Sequence, residues 1–116
     1  MISCVNGDAT LPVGGGNKII AHVCNNVGAW GKGFVLSLSK EHPLSEKEYR
    51  SWYQERPPWD KKPFALGEVQ LVQTKESVWV ANMIGQHGIL EKNGVPPIRY
   101  DALRYCLQEV AIEAFA

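Results

Sequence analysis

Imidazole, thiol, carboxamide and glycine backbone crowd into one stretch, which runs from His22 through Cys24, Asn25, Asn26, Gly28, Trp30, Gly31, Lys32 and Gly33 to Phe34. The glycines say most about its chemistry. They let the backbone turn tightly and bring N–H groups against a ligand, and a helix starting near Gly33 adds unpaired donors and the positive end of its dipole. That is anion chemistry, and it predicts a phosphate over Trp30 to Phe34. A glycine turn that serves chain geometry alone has the same composition. Two common nucleotide loops are excluded by identity. A Walker loop needs glycine at position 26 and Ser or Thr at 33, and a dinucleotide fingerprint from Gly31 needs glycine at 36, where the chain has Asn26, Gly33 and Leu36.

Within that stretch and outside it, five side chains carry chemistry of their own. His22 and Cys24 are two apart and share a strand face, as a thiol with an imidazole base would, although a small buried residue is the plainer reading of Cys24. Asp8 follows a short apolar run, where a carboxylate accepts from a ligand amino group or closes an Asx turn. Gln86 and His87 lie in a second glycine-bearing loop, Gly85 to Gly88. A loop histidine is either solvated or an acid–base group.

The elements that must hold these residues follow from periodicity. Ile2 to Val5 reads as a strand, and Ile19 to Val23 as a strand covered on both faces. Phe34 to His42 reads as a helix stopped by Pro43. Ser45 to Glu48 matches a capping box ahead of a second helix, with Tyr49, Trp52 and Tyr53 as a packing stripe. Glu68 to Gln73 and Val78 to Ile84 read as an antiparallel hairpin, the second strand being more central. The last helix starts about Tyr100, with Leu103, Leu107, Val110 and Ala114 on its apolar face. The order β, β, α, α, β, β, α is an α/β pattern with part of the sheet antiparallel, and opens of strands into loops are where ligands bind in such sheets.

Composition narrows the classes. The 116 residues suit a single domain with a modest core, and 45% apolar content suits a globule. Twelve basic residues balance twelve acidic ones, so no basic field exists to hold a nucleic acid polymer. No leader pattern or bilayer-length apolar run occurs, which predicts a cytoplasmic protein with no membrane partner. Cys4, Cys24 and Cys106 are dispersed and odd in number, so we expect reduced thiols and no metal site.

Taken together, Gly7-Asp8-Ala9-Thr10, the run Ile20 to Asn25 leading into Gly28 to Gly33, Leu66 to Val69, Val80 to Gln86 and Pro97 to Leu103 resemble a macro domain, the module that binds ADP-ribose. The resemblance covers nearly the whole chain and is greatest to the branch of ADP-ribose 1″-phosphate phosphatases and terminal ADP-ribose protein glycohydrolases. It implies a mixed sheet sandwiched between helices. It also implies binding of ADP-ribose or an ADP-ribosylated substrate, and hydrolysis of the 1″-phosphate or a protein-linked ester in the complete form. No cofactor is implied.

By position, Asp8 matches the carboxylate that accepts from the adenine amino group, with Ala9 beside it. Asn25 matches the asparagine at the distal ribose, and Gly31, Lys32, Gly33 and Phe34 match the first diphosphate loop. Gly85 and Gln86 match the loop beside the ribose. His22 stands where the phosphatase branch has a histidine, which makes His22 and Asn25 the catalytic candidates. Two departures matter. The lysine nucleophile of one glycohydrolase branch is replaced locally by Gly85-Gln86-His87. The family's further strand, second phosphate loop with its acid, and closing helix have no counterpart before Ala116. A binding module without turnover and an interaction domain without ligand remain alternatives.

Overall fold

A computed structural model describes residues 9–12, 14–31, 33–55 and 63–114. The strand expected at Ile2 to Val5 lies outside the described residues, as do Asp8 and Lys32. The element order is β1 (Lys18–Asn25), α1 (Phe34–Glu41), α2 (Pro43–Glu55), β2 (Val69–Lys75), β3 (Val78–Gln86) and α3 (Tyr100–Ala114). The three strands form a sheet in the order β1-β3-β2, with β1 parallel and β2 antiparallel to β3. The expected mixed sheet between helices is therefore what the chain forms. β3 is the middle strand, as its near-continuous apolar run requires.

The pleat assigns each face. Ile20, Cys24, Val78, Val80 and Ile84 point to one side and pack with Leu38, Tyr49 and Trp52 from α1 and α2. Ile19, Val23, Leu71, Ala81 and Met83 point to the other and pack against Leu103, Cys106 and Val110 of α3. The buried stripe of α3 thus runs through Ala102, Leu103, Cys106 and Val110, whereas Leu107 is exposed. The expected stripe of Leu103, Leu107, Val110 and Ala114 holds at Leu103 and Val110, whereas Ala114 is exposed and Cys106 takes the place of Leu107, because its thiol fills the seam beside the Glu68 and Ile84 carbonyls.

Pro43 begins α2 rather than only ending α1. Its fixed φ suits a first helical position, where the missing N–H would have no helical acceptor anyway. Ser45 consequently lies inside the first turn, donating to the His42 carbonyl at 2.6 Å, and is not the cap of a capping box. Because β1 and β3 run parallel, their carboxyl ends emerge together. The Asn26 amide donates to the Gln86 carbonyl at 3.0 Å across the two exits. Both glycine-bearing loops therefore leave the same edge of the sheet.

Candidate functional site

The loop after β1 is organised by Asn25. Its Oδ1 accepts from the Val27 and Ala29 amides, each at 3.0 Å, and its Nδ2 donates to the Ala29 carbonyl at 2.8 Å. The Tyr49 hydroxyl, reaching up from α2, donates to the Asn25 carbonyl at 2.6 Å and to Oδ1 at 3.0 Å. One carboxamide so replaces a full turn of backbone pairing, as asparagine does in tight loops. Gly28 completes the turn at φ 72°, and a Cβ there would collide with the Tyr53 ring. Asn26 ties this loop to its neighbour, donating to His87 Nδ1 and accepting from the Gly88 amide, both at 2.9 Å.

α1 then starts at Phe34 from Gly33, with φ 72° and no side-chain cap. The Leu36 amide returns to the Gly33 carbonyl at 3.1 Å, while the amides of Gly31, Gly33, Phe34 and Val35 have no acceptor among the described residues. A Cβ built on Gly31 or Gly33 would meet nothing within 4 Å. Open donors at an uncapped helix start, with empty space before them, are what an anion needs. Beside them lies a cleft of about 400 Å³, lined by Cys24, Asn25, Trp30, Gly31, Val35 and Gln86, with Ile89 and Leu90 as an apolar wall.

The structure brings Asn25, Trp30, Gly31 and Gln86 together at the cleft, with Gly33 and Phe34 at the helix start beside it. Gly85 instead faces α3, where a Cβ would approach Val23 at 3.2 Å and Leu103 at 3.5 Å. Ala9 is not brought there either. Its neighbour Thr10 is held through its carbonyl by His42 Nε2 at 2.7 Å, and His42 also bonds Thr74, at the end of the sheet where β1 and β3 begin.

His22 is 7% exposed and lies under the cleft floor, edge-on to Trp30 with ring centroids 5.1 Å apart. Its Nε2 meets Asn82 Oδ1 at 2.5 Å, so that nitrogen carries the proton. Burial holds the imidazole below its ordinary pKa, with the Asn82 bond opposing more weakly. Burial likewise pushes the Cys24 thiol far up, so it stays protonated. The His22 shift has a sign that can be measured. Folding excludes a proton that the unfolded chain takes up below about pH 6.5, so stability should fall as pH drops through that value and should be complete above it. Urea titrations at stepped pH should show this loss in the wild type, and His22→Phe should flatten it. Glu46, whose carboxylate is favoured chiefly by Arg50, loses its contribution only below pH 4.5, a separate window.

Sequence reasoning missed four supporting residues. Asn82 sits mid-way along an apolar strand, and that mismatch was the available signal, since a buried carboxamide must have partners. Tyr49 fits a packing stripe by its helical spacing, yet its hydroxyl fastens the loop. Glu46 and Arg50 carried no signal beyond helical spacing.

No family model matches the chain. Among curated proteins it is similar to an ADP-ribose 1″-phosphate phosphatase of Candida albicans, 39% identical over 54 residues, which is 45% of this chain and 35% of that protein. The match thus spans about a third of the curated relative's length. Among solved structures it is similar to a Bacteroides thetaiotaomicron protein, 53% identical over 94% of this chain and 69% of that one, at a TM-score of 0.86. It is also 50% identical to a macrodomain protein from Streptomyces coelicolor over 93% of this chain and 67% of that one, at a TM-score of 0.81. That identity, over 93% of this chain and 67% of the other, means that the chain belongs to the macrodomain family.

Proposed function

We propose that the cleft between the β1–α1 loop and the β3 exit binds ADP-ribose or an ADP-ribosylated group, with its pyrophosphate on the amides of Gly31 to Val35. The observation that carries this reading is the uncapped start of α1, where the amides of Gly31, Gly33, Phe34 and Val35 have no acceptor among the described residues and adjoin a cleft of about 400 Å³. Asn25 and Gln86 stand at the ribose, and Lys32 adds charge to the diphosphate loop. Turnover is the further step, as phosphate release from ADP-ribose 1″-phosphate or cleavage of a protein ester, with His22 and Asn25 as the groups nearest the distal ribose.

Binding without turnover is favoured by one observation. Cys24 is the only titratable side chain among the described lining residues, and its thiol stays protonated. His22 lies beneath that lining as a neutral ring. Thermal melts with ADP-ribose test the binding. A ligand held only by the folded state raises the midpoint, by about 2.7 kcal/mol of stability at a hundredfold excess over Kd. AMP and ribose-5-phosphate, each lacking the linked pyrophosphate, should raise it less. No rise with ADP-ribose rejects the site. Incubation with ADP-ribose 1″-phosphate then separates the two forms of the reading by whether phosphate appears.

A further inference from the structure

Arg50 makes contacts that an ordinary helix-surface arginine does not. Its Nε donates to Glu46 Oε2 at 2.8 Å, its Nη1 to the Gly28 carbonyl at 3.2 Å and its Nη2 to the Trp30 carbonyl at 3.4 Å. Glu46 Oε1 meanwhile accepts from Ser39 at 2.8 Å, and Ser39 accepts from the Trp30 indole at 2.6 Å. One carboxylate thus fixes both the guanidinium and, through Ser39, the ring of the loop's tryptophan. With side chains 43% and 32% exposed, the Arg50–Glu46 pair alone would contribute little. Its effect lies in which way the loop peptides face.

A trans peptide is planar, so fixing its C=O sends its N–H the opposite way. At the Gly28–Ala29 peptide both halves are held, the carbonyl by Arg50 and the Ala29 amide by Asn25. At the Trp30–Gly31 peptide the carbonyl is held by Arg50, while the Gly31 amide has no acceptor among the described residues and stands beside the cleft that Gly31 lines. We infer that Arg50, steered by Glu46, is the positioning residue of the anion loop, turning the Trp30–Gly31 peptide so that its N–H donates to the pyrophosphate of an ADP-ribose-type ligand. The inference rests on the reading of the cleft given above.

The test combines calorimetric titration with ADP-ribose and glycine-selective ¹⁵N spectra of Arg50→Met, Arg50→Lys and Glu46→Gln, with Arg104→Met on exposed α3 as control. Arg50→Met should weaken ADP-ribose binding about tenfold or more, the scale of losing hydrogen bonds from a charged donor. The Gly31 amide resonance should move in the ligand-free protein and lose its response to ligand. Arg50→Lys, lacking the fork, should restore part of the affinity, and Glu46→Gln should fall between. Unchanged affinity overturns the inference, as does lost affinity with an unmoved Gly31 resonance, which would mean mere destabilisation. If the wild type itself binds no ADP-ribose, the cleft reading fails. The Gly31 resonance of free Arg50→Met still decides the orientation half, and its staying in place would overturn the inference by itself.

Discussion

Asn25→Ala should abolish saturable ADP-ribose binding, weakening it about a hundredfold or more, and should lower stability by about 3 kcal/mol. The affinity loss follows from what the side chain holds. Three bonds to Val27 and Ala29 are removed at once, and the Tyr49 hydroxyl keeps only the Asn25 carbonyl. Without the carboxamide, the Ala29 peptide is pinned from the Arg50 side alone, so the donors beyond it stop converging on one place. Preorganisation of this kind is where binding free energy is lost first, since a floppy loop must be ordered by the ligand. The stability loss follows from burial, because two amides in a part-buried turn are left to find water. Asn25→Asp is the informative companion. It keeps the acceptor for both amides but loses the donor to Ala29 and adds a negative charge beside the ligand, so it should retain more stability than the alanine variant while binding no better. Titration calorimetry and urea denaturation of both variants would decide. Wild-type affinity in Asn25→Ala would show that the loop's shape does not depend on this side chain.

Much of this arrangement is legible in the sequence, for a physical reason. β-branched runs end in glycine and asparagine where a parallel strand leaves its sheet, so the β1 exit, the start of α1 and the β2–β3 hairpin could all be read from residue type alone. What could not be read depends on contacts between distant segments. Pro43 is equally a stop and a first helical residue, and which one applies is set by the chain direction after His42. Leu107 and Cys106 both fit an apolar stripe, and only the seam beside β2 and β3 selects Cys106. Gly85 belongs to a glycine loop in sequence, yet in space the closeness of Val23 and Leu103 accounts for its missing side chain. Thr10, with Ala9 beside it, is carried to the far end of the sheet by a bond to a histidine 32 residues away.

Asn82→Leu should be the most destabilising single change in the sheet, by about 4 kcal/mol in urea denaturation, because it strands polar groups in the core. The register places His22, Asn82 and Gln70 side by side on three adjacent strands. Asn82 accepts from His22 and donates to Gln70 Oε1 at 3.0 Å and to the Ser45 carbonyl at 3.1 Å, while Gln70 donates to the Glu48 carbonyl at 2.9 Å. A single carboxamide thereby links β1, β3, β2 and α2, at a residue with no exposed surface. Leucine fills most of the space but leaves the His22 N–H and the Gln70 oxygen without partners, and a buried group left unpaired costs more than its bond contributed. That asymmetry supplies a sharper test than the single variant. In His22→Phe/Asn82→Leu the donor and its acceptor are removed together, so the double variant should be clearly more stable than the sum of the singles predicts, by about 1–3 kcal/mol. Simple additivity would mean that the row across the sheet is not coupled. Coupling would also reach the cleft, because His22 supports Trp30 edge-on from below, and a ring that loses its anchor at Nε2 no longer fixes the indole that lines the site.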